Sequence, residues 1–108
     1  MPIDMIYVTT INPRSMKGPY VHPKRNGLLS IIRGKVLLVT RKFKGEYLDT
    51  YTEQILSEGQ QVLLKAGLEY AFVNQTSDEV IMMNICDRGW SEEDKYPTFN
   101  YYNPVFSE

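Results

Sequence analysis

Short apolar runs, each ended within a few residues by turn chemistry, constrain this chain more than any other feature. "IDMIYVTTI", "GLLSII", "KVLLVTRKF", "YLDTYTEQILS", "QQVLLK", "LEYAFVN" and "EVIMMNI" follow one another with little between them. They are rich in Val, Ile, Leu, Tyr, Phe and Thr, which suit a pleated, half-buried surface. Gly or Asn marks the joints, as in "SEG", "KAG" and "NQTSD". No apolar pattern of helical period runs past ten residues. Short strands so spaced predict an all-β fold, an antiparallel jelly-roll sandwich or barrel. "GLLSII" ends at Arg33-Gly34 and "KVLLVTRKF" begins at once, which predicts a tight hairpin. In the next run Tyr47, Asp49, Tyr51, Glu53 and Ile55 fall on one face of an extended strand.

The 108 residues make one domain, 1–108, with no linker or repeat, and 43% hydrophobic content is enough for a real core. The end of the chain reads differently. "DRGWSEEDKYPTFNYYNPVFSE" holds a candidate helical turn at Ser91 to Asp94 and then aromatics and prolines. Such a short, irregular, aromatic-rich tail must pack on something, either the mouth of the barrel or a partner copy.

Several functional classes fall away. "MPIDMIYVTT" has no basic n-region or long apolar run, and no stretch nears the roughly 20 apolar residues of a membrane span. A single cysteine, Cys86, forms no internal disulfide, which predicts a reducing, cytoplasmic setting. One His and one Cys argue against a zinc or iron site, so no metal and no cofactor is expected. There is no P-loop, no G-x-G-x-x-G and no G-x-S-x-G elbow. Cys86 sits in the apolar run "VIMMNIC" and reads as a core residue rather than a nucleophile. A sequence pI near 5.8 and the lack of a repeated stacking motif argue against nucleic acid.

Charge is distributed unevenly. Between Asp4 and Glu46 there is no acidic residue, and nine of the twelve Lys and Arg fall in that window. Side by side, such strands would build one positive face, an anion site. The only histidine, His22, lies inside this window in "KGPYVHPKRNG", read as a proline-stiffened basic loop. An imidazole takes up a proton at neutral pH without special burial. The protons most worth taking lie next to a ketone, and the enolate then needs a cation such as Lys17, Lys24 or Arg33. A tyrosine returns the proton.

"KGPYVHPKRN…LLSIIRGKVLLVTRKF", followed by "ILSEGQQVLLKAGLEYAFVN" and "WSEEDKYPTFNYYNP", resembles the RmlC-like cupin family. That family comprises the sugar epimerases typified by dTDP-4-dehydrorhamnose 3,5-epimerase and the related nucleotide-sugar 3,4-ketoisomerases. The resemblance spans roughly residues 15 to 104. Against the ketoisomerase segment "GG-H-A-H", Tyr20 stands at the first His position and His22 at the second. Tyr70 stands where the epimerases carry a second-segment His. The expected aspartate falls at Leu37 or its neighbours, and the epimerase tyrosine at Met83.

The resemblance implies a cupin-like jelly roll acting as a metal-independent isomerase or epimerase on a nucleotide-linked keto-sugar, in deoxysugar or surface-polysaccharide synthesis. His22 is the expected base, with Tyr20 and Tyr70 as candidates for the second proton carrier. Lys17, Lys24, Arg33 and Arg41 are candidates for phosphate and enolate contacts. The expected partners are a nucleotide-sugar or other small carbohydrate and a second copy of the chain, with no nucleic acid and no membrane. A non-catalytic cupin that binds a carbohydrate or nucleotide-sugar is the alternative, and replacing His22 separates the two.

Overall fold

The structure is a computed structural model that describes residues 2–42, 51–89, Pro104 and Phe106. Eight strands follow in order: β1 (Met5–Ile11), β2 (Ser15–Val21), β3 (Gly27–Arg33), β4 (Lys35–Lys42), β5 (Thr52–Ser57), β6 (Gln61–Leu64), β7 (Leu68–Asn74) and β8 (Val80–Cys86). They form two four-stranded antiparallel sheets, β1-β8-β3-β6 and β2-β7-β4-β5. This is the jelly roll that the spacing of the apolar runs predicts. Among the described residues there is no helix, and none long and apolar enough to cross a membrane.

Alternation builds the core. On β8, Val80, Met82, Asn84 and Cys86 are buried while Ile81, Met83 and Ile85 between them are half-exposed. Tyr70 and Phe72 of β7 point the same way as Leu38 of β4, and Leu29 and Ile31 of β3 close the layer from the other sheet. Together with Ile11, Val36, Leu56, Leu64, Val80 and Met82 they form one continuous apolar cluster between the sheets. A second cluster, Leu37, Val39 and Val73, lies on the outer face of β2-β7-β4-β5. Met16, Tyr51 and Phe106 pack over it.

Two expectations are corrected. Arg33-Gly34 is not a hairpin: β3 pairs with β6 and β8, whereas β4 pairs with β5 and β7. The turn is a corner where the chain leaves one sheet for the other. Gly34 takes a φ of 94° there, with the backbone oxygen of Glu79 3.3 Å from where a Cβ would lie. The "KGPYV" part of the supposed basic loop is also strand β2. Tyr47, Asp49, the Ser91 to Asp94 turn and most of the aromatic tail lie outside the described residues. Of that face of the fifth run, Tyr51 packs on the outer cluster, and Glu53 and Ile55 are exposed.

Candidate functional site

The site begins with an irregularity in β2. Lys17 pairs with Phe72 and Tyr20 with Tyr70, so Gly18 and Pro19 together oppose the single residue Ala71. That is a β-bulge, which re-aims the side chains that follow it. Residues three apart on a regular strand face opposite sides, but here Lys17 and Tyr20 both face the side of Phe72 and Tyr70. Gly18 is required at the bulge. Its φ is 100°, and a Cβ would lie 2.9 Å from the backbone oxygen of Tyr70.

The bulge brings three rings together. Tyr20 and Tyr70 have centroids 5.7 Å apart, His22 and Tyr70 5.9 Å, and Tyr20 and His22 6.4 Å in a stacked arrangement. Tyr70 also meets Phe72 edge-on at 5.4 Å, which anchors the group to the core. The carbonyl of His22 accepts a hydrogen bond from the Gly67 N–H at 2.9 Å, so the turn between β6 and β7 fixes the backbone of His22.

Beneath these rings Arg25 is buried. Its Nη2 donates to His22 Nε2 at 2.7 Å, and its guanidinium also hydrogen-bonds the Tyr70 side chain. Arginine has no acceptor and keeps its charge. His22 Nε2 is therefore an acceptor, and the ring proton of the neutral imidazole sits on Nδ1. Burial holds the Tyr70 phenol well above its ordinary range. Tyr7 adds to the rise, and Arg25 opposes it. Tyr20 is raised in the same sense, by burial and then by Tyr7. Both phenols hold their protons at neutral pH and are acids rather than bases.

The position of Arg25 rests on its neighbour. Asn26 donates its backbone N–H and its Nδ2 to the two carboxylate oxygens of Asp87, both at 2.8 Å, and its Oδ1 accepts from the Ala66 N–H at 2.8 Å. These bonds tie the entry of β3 to β8 and to the β6–β7 turn. They also hold the Asp87 carboxyl below its usual range, the Asn26 side chain being the main cause.

A small pocket opens between these elements. His22, Arg25 and Tyr70 form one side; Gly27, Leu64, Lys65 and Asn84 form the rest. The three residues expected to carry chemistry, His22, Tyr20 and Tyr70, are thus brought together. The expected cations are dispersed. Lys24 is exposed in the turn after His22. Lys17 faces the same side as Tyr20 and donates its Nζ to Thr9 Oγ1 at 3.1 Å, bridging to β1. Arg33 ends β3, six residues from Gly27 and so about 20 Å away at the opposite end of the sandwich. Arg41 is buried on the outer face of its sheet, 3.4 Å from Glu69 and with its guanidinium 4.4 Å above the Tyr51 ring. These four cations therefore belong to different faces and ends of the sandwich rather than to one positive face.

Two pocket residues escaped the sequence reading. Arg25 was counted among the cations but not singled out. Asn84 interrupts the inward-facing series Val80, Met82, Cys86 with a polar group, and that break was the available signal. Met83, the position matched to the epimerase tyrosine, alternates with the buried residues and pairs with exposed Val8, so its neighbour Asn84 is the one that reaches the pocket. Leu37, matched to the aspartate, lies in the outer cluster. Among the described residues no group of three or more His, Cys, Asp or Glu is placed to hold a metal ion.

No protein-family model and no curated protein matches the chain. Solved structures do. The capsular polysaccharide assembling protein CapF from Staphylococcus aureus superposes with a TM-score of 0.77 over 88% of this chain, at 17% identity. A dTDP sugar isomerase from Desulfovibrio desulfuricans G20 gives 0.79 over 87%, at 14% identity. RmlC from Streptococcus suis, in complex with dTDP-D-xylose, gives 0.71 over 84%, at 19% identity. The chain spans 28%, 63% and 47% of the lengths of those chains, respectively. The fold is that of the RmlC-like cupins.

Proposed function

On this RmlC-like cupin fold, we propose that the chain is an isomerase or epimerase for a nucleotide-linked keto-sugar, working without metal or cofactor by proton transfer next to the carbonyl. The observation that carries the reading is a pocket lined by His22, Tyr70 and the buried Arg25 that touches both, with the protonated phenol of Tyr20 stacked on His22 beside it. The solved structures with a dTDP-sugar isomerase or RmlC in their names support the same substrate class. CapF supports a place in surface-polysaccharide synthesis.

The chemistry follows from the hydrogen bonds. At rest the His22 Nε2 lone pair is engaged by an Arg25 N–H. A substrate carbonyl oxygen entering the pocket competes for that N–H. Once Arg25 turns to it, Nε2 is released to take the proton from the adjacent carbon, and the electron pair of the broken C–H bond moves onto the oxygen that Arg25 holds. Tyr70 or Tyr20 returns a proton to carbon when the enolate collapses. Lys65, exposed in the pocket lining, and Lys24, exposed next to Arg25 in the chain, are the candidates for the phosphates.

The test is deuterium uptake beside the carbonyl of a dTDP-linked 4-keto sugar in D2O. Wild type should exchange, and His22→Asn should lose about 10²- to 10⁴-fold in rate while still binding dTDP. Binding without exchange in wild type selects the second reading, a non-catalytic sugar-nucleotide binder. That reading is favoured by the 2.7 Å Arg25–His22 bond, which is a stable resting arrangement if no carbonyl ever displaces it.

A homodimer and a cytoplasmic setting complete the proposal. Cys86 is fully buried and in no disulfide, which suits a reducing compartment. The outer face of β1-β8-β3-β6 presents Ile6, Val8 and Leu63 as exposed apolar groups, beside half-buried Met83, Ile85 and Leu28. Phe106, near the chain's end, packs over the other sheet. A second copy is the proposed occupant of the apolar face.

A further inference from the structure

Asn84 is 4% exposed and lines the pocket floor. Its Nδ2 donates to the Tyr7 hydroxyl at 3.0 Å. Its Oδ1 is buried and has no hydrogen-bond partner among the described residues. Opposite that oxygen is Gly27, where a Cβ would lie 2.6 Å from Oδ1. Glycine at the head of β3, itself in the pocket lining, thus leaves room for the Asn84 amide to lie there, and nothing in the site satisfies its buried carbonyl. Buried acceptors are normally paired, and an unpaired one facing a pocket asks for a donor from outside. The other strongly polar heads in the pocket, Arg25 and Lys65, are donors only.

We propose that Asn84 Oδ1 is a specificity-determining acceptor, taking a hydrogen bond from a ligand hydroxyl while Arg25 holds a neighbouring ligand oxygen. The pocket therefore selects a ligand edge carrying a donor beside an acceptor, as a sugar ring does. It rejects a bare phosphate or carboxylate, which offers acceptors alone. This deepens the nucleotide-sugar reading and rests on it for the choice of probe.

The experiment compares dTDP-D-xylose with dTDP by calorimetry on wild type, Asn84→Leu and Asn84→Asp. Leucine has similar volume and no acceptor; aspartate keeps an acceptor that the Tyr7 hydroxyl can bond. Wild type should prefer dTDP-D-xylose. Asn84→Leu should lose about tenfold or more of that preference with dTDP affinity nearly unchanged, and Asn84→Asp should keep most of it. The unchanged dTDP affinity shows that the variant is folded. An unaltered preference in Asn84→Leu overturns the proposal, as does an equal loss for both ligands, which would make Asn84 a scaffold residue. If wild type binds neither nucleotide, the nucleotide-sugar reading fails by itself. Free D-xylose titrated against the side-chain amide resonances of Asn84 then decides. A saturable shift sustains the acceptor role, and its absence overturns it.

Discussion

At the scale of single residues, Tyr70 shows how burial fixes a chemical role. The ring sits in the core cluster with its hydroxyl against Arg25, and desolvation keeps the phenol protonated above its ordinary 10.0. The folded state therefore binds this proton more tightly than the unfolded chain does. The resulting stability is complete below pH 10 and is lost as pH rises toward the folded value. Tyr70→Phe should flatten the fall in thermal midpoint above about pH 10, and should slow deuterium exchange about 10²-fold while dTDP still binds. Asp87 works in the opposite sense. Its carboxyl lies below the ordinary 3.8 because Asn26 bonds the charged form, so its contribution is present above that value and fades as pH falls below it. Asp87→Asn sets an amide N–H against the Asn26 amide and should lower the thermal midpoint at neutral pH. Its further loss on acidification should be smaller than that of wild type.

At the scale of elements, the bulge in β2 converts a strand into a platform for the site. Gly18→Ala forces a side chain into a left-handed position and against the Tyr70 carbonyl. We expect it to destabilise the fold by about 1 to 3 kcal/mol, measured by denaturant unfolding, and to weaken exchange beyond what stability explains. Little of this was legible beforehand. The strands β1, β3, β4, β7 and β8 were readable because each is a short run of apolar and β-branched residues closed by turn chemistry. β2 was not, since its glycine and proline are loop signals unless a partner strand is known. The Arg33-Gly34 corner read as a hairpin for a related reason: a glycine turn looks the same whether the next strand pairs with its predecessor or crosses to the other sheet. His22 was found as the only histidine, set in the basic window, and Tyr20 and Tyr70 through the family resemblance. Arg25 was lost among nine cations, because which of them is buried depends on the Asn26–Asp87 bonds, and those join residues 61 apart in sequence.

At the scale of the whole molecule, the two outer sheet faces are treated differently. One carries the second apolar cluster under Phe106 and Tyr51, with Arg41 and Glu69 paired beside it. The other leaves Val8 62% and Ile6 57% exposed on an edge strand. If that face joins two copies, Val8→Lys should give a monomer by analytical ultracentrifugation at micromolar concentration, with the far-ultraviolet circular dichroism unchanged.

The ends of the sandwich are also unlike. The pocket opens where β2 leads into β3 and β6 into β7, whereas the Ser57–Gln61 turn lies beside Ile31, toward the Arg33 corner. At Gly59 an added Cβ would meet nothing within 4 Å. That turn is consequently a graft point remote from the pocket, provided the backbone bonds that Gly59 and Gln60 share with Ile31 are kept. A peptide tag can be spliced there with no wall of the pocket displaced.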